Sequence, residues 1–368
     1  MSTQLSIPES AKNSHAGFRR LLIVRLGSMG DIIHTLPAAF ALRAALPEAL
    51  MGWLVEERWT ELLCAAPEPR SGPRSRRRPL VDRLHVVNTR AWRKHLLSTQ
   101  TWERAAAALS HLRAERYDVA VDFQGAVRSA LLARCSGAPI IYGFREPREN
   151  VASMLYTHPV MARGAHIVEQ NLSLARDLLG KPSAVPPTQF PCDEAAEGCC
   201  ADWVQQERAH DFILLSPGGG WGAKQWPAAR YGQVAKALAQ DGFKILINFG
   251  PGEEELVRAV ETASGGVAKA VNCSLPELIA FTRRARLFIG GDTGPMHLAA
   301  ALGIPVVAIF GPTNPARNGP FGTKSIVLRS PASTTSHTRR AATDPGLLEI
   351  GVDDVVTAAR NLLGQCCD

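Results

Sequence analysis

A carboxylate, a hydroxyl, a glycine and an imidazole fall within six residues at Asp292-Thr293-Gly294-Pro295-Met296-His297. They follow the apolar run Phe288-Ile289-Gly290-Gly291 and precede an alanine-rich stretch that ends at Gly303. The pattern predicts a strand that stops in a glycine turn and enters a helix capped by Asp292 or Thr293. The first backbone N–H groups of such a helix can hold an anion. Thr293, Gly294 and His297 would add a hydroxyl, a close backbone approach and a proton-carrying ring. A diphosphate suits that place, but so does an ordinary capped strand-to-helix turn, and a second anion site is needed to decide.

Three further loops bear on the question. Ser216-Pro217-Gly218-Gly219-Gly220-Trp221-Gly222-Ala223-Lys224-Gln225-Trp226-Pro227 combines four glycines with one lysine, a phosphate cradle that carries a charge. It lacks the Gly-Lys-Ser/Thr of a P-loop. Phe249-Gly250-Pro251-Gly252-Glu253-Glu254-Glu255 places carboxylates where one could hold the two hydroxyls of a ribose, or could simply favour a helix dipole. Gly27-Ser28-Met29-Gly30-Asp31-Ile32-Ile33-His34 offers Asp31 as a helix cap or as a general base for a hydroxyl across a cleft. Two anion loops and a carboxylate in the second half point to a nucleoside diphosphate held there. The absence of a G-x-G-x-x-G fingerprint argues against a nicotinamide.

These loops need elements to hold them. Arg20–Arg25, Gly52–Val55 and Tyr117–Phe123 read as buried strands, with helices from Ile32 to about Leu46 and after Gly125. The alternation restarts at Phe212–Ser216, Lys244–Phe249, Leu287–Gly290 and Val306–Phe310, and Val352–Leu363 reads as a closing helix. An α/β chain of two parallel sheets is expected, with its ligands at the carboxyl ends of the strands. The expected organisation is a disordered tail over 1–18, a first Rossmann-like unit over 19–180, a proline-rich linker over 181–192, a second unit over 193–350, and the closing helix and tail over 351–368.

Composition narrows the partners. A length of 368 residues, 46% hydrophobic and 20% charged, describes a globular protein of about two domains. The net charge of +7 suggests an anionic partner, yet 6% aromatic content and the absence of a zinc-finger or RNA-binding signature argue against nucleic acid. Basic residues concentrate in Arg70–Arg83 and Arg90–Lys94, which suits an anionic substrate or a lipid surface. The eight cysteines form no CxxC pair and read as reduced thiols. No apolar run approaches a membrane span and no signal sequence is visible, so a cytoplasmic protein acting from the membrane surface is expected.

Taken together, Leu22–Pro37, Ala91-Trp92-Arg93-Lys94, Asp122-Phe123-Gln124-Gly125, Arg145-Glu146-Pro147, Lys224-Gln225-Trp226-Pro227 and Asp292–Leu298 resemble the bacterial lipopolysaccharide heptosyltransferases, glycosyltransferase family 9. The resemblance runs from about Arg20 to Phe321. Within the family it points to the members that add the first heptose. It implies a GT-B fold, two Rossmann-like domains with parallel sheets facing a central cleft. The implied reaction is inverting, metal-independent transfer of L-glycero-D-manno-heptose from ADP-heptose to the Kdo of Kdo–lipid A at the inner face of the inner membrane, with no cofactor. By this resemblance Asp31 is the base, and Lys224 faces the diphosphate and stabilises leaving ADP. Asp292 contacts the heptose, and Thr293, Gly294 and His297 hold diphosphate or sugar. Gly219 and Gly220 contribute backbone donors only, Glu253 or Glu254 takes the ribose, and Cys273 to Leu275 lie by the adenine. Ser28, Gly30, Arg90, Arg93, Lys94, Gln124 and Arg145 fall on the acceptor side.

The basic loop Arg70–Pro79 departs from the family pattern and is expected to be disordered or to touch lipid headgroups. A family member with a different acceptor, such as the second-heptose type, and a non-catalytic nucleotide-sugar-binding module stay open as alternatives.

Overall fold

The computed structural model describes residues 17–364 apart from 96–97, 183, 337 and 339–341. Its first half contains β1 (Arg20–Val24), α1 (Met29–Ala45), β2 (Leu50–Glu56), β3 (Arg83–Val87), α2 (Thr89–Lys94), α3 (Thr99–Ala114), β4 (Val119–Asp122), α4 (Val127–Cys135), β5 (Ile140–Phe144), β6 (His158–Val160) and α5 (Ile167–Leu179). The second half runs α6 (Glu194–Gln206), β7 (Phe212–Ser216), α7 (Ala228–Gln240), β8 (Lys244–Asn248), α8 (Glu254–Ala263), β9 (Ala268–Val271), α9 (Leu275–Arg284), β10 (Leu287–Gly291), α10 (Gly294–Ala301), β11 (Val306–Phe310), α11 (Pro315–Asn318), β12 (Ser325–Arg329), α12 (Pro345–Glu349) and α13 (Val352–Leu363).

Each half builds one six-stranded sheet in which every neighbouring pair is parallel. The orders are β3-β2-β1-β4-β5-β6 and β9-β8-β7-β10-β11-β12, the same doubly wound topology twice. Central strands that are covered on both faces must be apolar throughout, and β1 and β7 show how this is met. Leu21 and Ile23 point into one cluster and Leu22 and Val24 into another; Phe212 and Leu214 likewise face away from Ile213 and Leu215. The inner cluster is continuous between halves, running from Leu21 and Ile33 through Leu174 to Met296 and Phe212. α13 closes the outer face of the second sheet with Val355, Val356 and Ala359.

The halves meet along α1 and α10, whose first turns approach closely enough to exclude side chains. A Cβ at Gly30 would lie 2.6 Å from His297 Cδ2, and one at Gly294 would lie 2.6 Å from the Met29 sulfur. Asn171 on α5 donates to the His34 carbonyl at 2.9 Å, pinning α1 from its other side.

Two expectations change. Of the tail assigned to 1–18, residues 1–16 lie outside the described residues, but Phe18 packs against the inner cluster. The basic loop Arg70–Pro79 is ordered. Arg78 is 1% exposed, and its guanidinium donates to the carbonyls of Val81 (3.1 Å), Pro73 (2.7 Å) and Pro69. Arg77 pairs with Glu194 at 2.8 Å, and the Arg76 carbonyl accepts from Cys192 N at 2.9 Å. A loop with this many backbone groups to satisfy uses one arginine fork where a strand ladder is missing, while Arg70, Arg74 and Arg76 stay exposed.

Arg78→Ala should therefore lower unfolding free energy by about 2–4 kcal/mol, because three carbonyls lose their donor in a buried setting. Urea titration of the two proteins checks this; a midpoint unchanged from wild type would contradict the structural role.

Candidate active site

In each sheet the connections depart in opposite directions from one pair of strands, β1/β4 in the first and β7/β10 in the second, and ligands of such sheets bind at that switch point. The loops expected to carry chemistry leave those strands. Asp31 follows β1, Gln124 follows β4, Lys224 follows β7 and Asp292 follows β10. The remaining candidates sit at the same edge, with Arg90 after β3, Arg145 after β5, Glu253 after β8 and Cys273 after β9.

The second-half loops converge. Lys224 Nζ donates to Asp292 Oδ2 at 2.5 Å and stands 4.3 Å above the Trp221 ring. His297 Nε2 lies 3.2 Å from Asp292 Oδ1. Burial opposes ionisation of Asp292, but the hydrogen bond from His297 and the Lys224 ammonium outweigh it and hold the carboxyl well below the usual carboxylate range. The side chains of Lys224 and Asp292 are 11% and 7% exposed, so removing either would strand a buried charge. Neither candidate cap closes α10. Thr293 takes the capping position without a side-chain cap, its hydroxyl turning back to the Gly291 carbonyl, while Asp292 is spent on Lys224 and His297. The N–H end of the helix is left for an anion.

The first-half loop is arranged differently. Ser28 N and Oγ donate to Asp31 Oδ2 at 3.0 and 3.1 Å, so Asp31 does reach back over the first turn of α1 as a cap. Its other oxygen pairs with Arg25 Nη2 at 2.7 Å. Burial raises the carboxyl, yet Arg25 and the Ser28 hydrogen bonds prevail and keep it below the ordinary value. Capping and proton acceptance are compatible, since a carboxylate has more lone pairs than these contacts use. Arg25 was not singled out from the sequence, although a lone arginine ending an apolar strand is a visible signal. It is 6% exposed, donates to the Phe123 carbonyl, and has a buried Nε without a partner among the described residues. Asp122, fully buried, accepts from Gln124 N, Ser129 Oγ and Tyr156 OH, all at 2.8 Å, and so fixes the neighbouring turn. Gln124 Oε1 in turn accepts from Leu26 N at 2.9 Å, tying the β4 loop to the β1 loop.

Glu253 and Glu254 part company. Glu253 accepts from Gly250 N at 2.8 Å and lies against Gly218, where a Cβ would come within 2.2 Å of its carboxylate. Glu254 is exposed. Gly218 is thus the glycine of the cradle that makes room for an acid, whereas Gly220 faces open space. Cys273 and Leu275 are half-buried against the inner cluster, and burial pushes the Cys273 thiol up to about 12. Arg90, Arg93, Lys94 and Arg145 are exposed on the rim of the first sheet, apart from the hydrogen-bonded cluster.

Comparison with known proteins adds three findings. The profile of glycosyltransferase family 9 (heptosyltransferase) matches residues 106–346. Lipopolysaccharide heptosyltransferase 1 of Pseudomonas aeruginosa is 31% identical over 320 residues, 84% of each chain. Two solved structures of the Escherichia coli heptosyltransferase WaaC superpose on 93% of this chain and 99% of theirs. The one with ADP has a TM-score of 0.74 at 27% identity, and the one with ADP-2-deoxy-2-fluoro heptose has 0.72 at 26%.

Two outcomes follow from the geometry. Gly218→Ala should push the Glu253 carboxylate off Gly250 N and lower unfolding free energy by about 1–3 kcal/mol, the cost of losing a hydrogen bond to a charged group; urea titration measures it, and an unchanged midpoint would contradict the contact. Burial, and beside it the neighbouring His297, His166 and Arg25, hold His34 well below the ordinary histidine value of 6.5. The unfolded chain therefore binds a proton near pH 6.5 that the folded chain refuses, and stability should fall as pH drops below that value. Denaturant midpoints at pH 7.5 and 5.5 should differ more in wild type than in His34→Gln.

Proposed function

This chain belongs to glycosyltransferase family 9, and from that premise we propose that it transfers L-glycero-D-manno-heptose from ADP-heptose to the Kdo of Kdo–lipid A, the first heptose of the lipopolysaccharide inner core. The observation that carries the reading is the pairing of two switch points. An uncapped helix end with Lys224, Asp292 and His297 stands on one side, and Asp31 beside Gly30 stands on the other, with Gly30 and His297 in contact.

The chemistry is a single displacement. The acceptor hydroxyl oxygen forms a bond to the anomeric carbon while the bond from that carbon to the diphosphate oxygen breaks, inverting the centre. Asp31, held ionised by Arg25, takes the hydroxyl proton. Lys224 and the free N–H groups at the start of α10 take up the charge that develops on departing ADP. Glu253, beside Gly218 of the cradle, would accept from ribose hydroxyls. The exposed cations Arg90, Arg93, Lys94 and Arg145 suit the carboxylates and phosphates of an anionic glycolipid. Among the described residues no helix is long and apolar enough to cross a membrane, so the acceptor would be met at a membrane surface, which we place at the cytoplasmic face of the inner membrane.

The test is ADP release from ADP-heptose with and without Kdo–lipid A. Acceptor-dependent release is expected. Asp31→Asn should abolish it while ADP-heptose affinity stays near wild type, and Lys224→Ala should slow it by about 10²–10³. Release only with an already heptosylated acceptor would move the chain to a later step, and a large loss of donor affinity in Asp31→Asn would overturn the base assignment.

A further inference from the structure

His34 sits on α1, three residues after Asp31 and in the opposite half of the molecule from the donor-site cluster. Its Nε2 lies 3.0 Å from His297 Nδ1, the ring centroids are 4.1 Å apart, and each residue is 7% exposed. The bonding around His297 joins the two halves. Asp292 is ionised and can only accept, so the His297 nitrogen facing it, Nε2, must carry hydrogen. Its other nitrogen, Nδ1, faces His34 Nε2 across the interface. A chain of hydrogen bonds therefore runs from His34 through His297 to Asp292, with Lys224 donating to the other oxygen of the same carboxylate.

We propose that His34 is a positioning residue for the donor site, setting the orientation of His297 from across the interface and, through it, the Asp292–Lys224 pair. The inference rests on the donor site proposed above and adds a residue of the acceptor half to it. The groups facing His34 are His297 on α10, His166 at the start of α5, Arg25 at the end of β1 and, further off, Asp292. His166 is occupied elsewhere: its Nε2 donates to the Gly319 carbonyl at 3.0 Å and its Nδ1 accepts from Val168 N at 3.2 Å. The partner left for His34 Nε2 is His297. The arrangement makes the donor site dependent on contact between the halves, because His297 is held in register only while α1 lies against α10.

The experiment compares His34→Phe, which keeps a flat ring but has no hydrogen-bonding group, with His34→Gln, whose amide can reach the place of Nε2. In wild type, ¹⁵N spectra of the imidazoles should show His297 Nδ1 in a hydrogen bond. His34→Phe should remove that signature and lower kcat/KM for ADP-heptose about tenfold, the effect of leaving one buried ring nitrogen without a partner, with KM for the acceptor unchanged. His34→Gln should restore both readouts to within about threefold of wild type. An unchanged His297 signature in His34→Phe, or a folded His34→Gln as impaired as His34→Phe, would overturn the proposal. The spectra need no substrate. A wild-type protein that fails to use ADP-heptose would therefore count against the proposed reaction alone.

Discussion

The contact between the first turns of α1 and α10 is the constraint on which the site depends. Two helix N-termini, each pointing positive ends at a common region, repel one another and leave unsatisfied N–H groups. They come together here because glycines stand at both contact points, Gly30 against His297 and Gly294 against Met29. A continuous apolar cluster behind them, reaching from the first sheet to the second, supplies the burial that holds the halves in place. The chemistry lies on the rim of that contact. A residue of one half can therefore touch the machinery of the other.

The two helix ends are treated in opposite ways. At α1 the dipole is answered from inside the chain, by Asp31 and Ser28, and the carboxylate is shared with Arg25. At α10 the nearest carboxylate is drawn away by Lys224 and His297 and the end stays open. One end thus carries a fixed negative group and the other does not. The proposed transfer, in which an acceptor gives up a proton and a donor leaves as an anion, calls for that asymmetry. Asp292 also neutralises Lys224, so that neither is a lone buried charge.

Much of this was legible in the chain. Five of the seven strands expected from the sequence, Arg20–Arg25, Phe212–Ser216, Lys244–Phe249, Leu287–Gly290 and Val306–Phe310, are largely apolar runs ending in glycine turns, as central parallel strands covered on both faces must be apolar. The closing helix over Val352–Leu363 was equally plain. Strands with weaker patterns went unread. β3, β9 and β12 lie at or next to sheet edges, where Arg83, Lys269 and Arg329 interrupt the apolar signal. In the loop at 70–79 most arginines are at the surface as the pattern suggests, but nothing in the sequence says that Arg78 turns inward to serve three carbonyls and orders the loop.

By itself, the sequence determined the two α/β halves, the family, and the residue types at the strand ends, since each follows from local pattern and spacing. Only the tertiary structure decided which of Asp31 and Asp292 would cap its helix, which of Glu253 and Glu254 would face the glycine cradle, and that Arg25 and His34 belong to the site. Those outcomes turn on partners from 3 to 263 residues away in the chain, brought to hydrogen-bonding distance by two copies of one sheet topology meeting at a glycine contact. Side-chain chemistry is local, but the choice among its possible partners is made by packing.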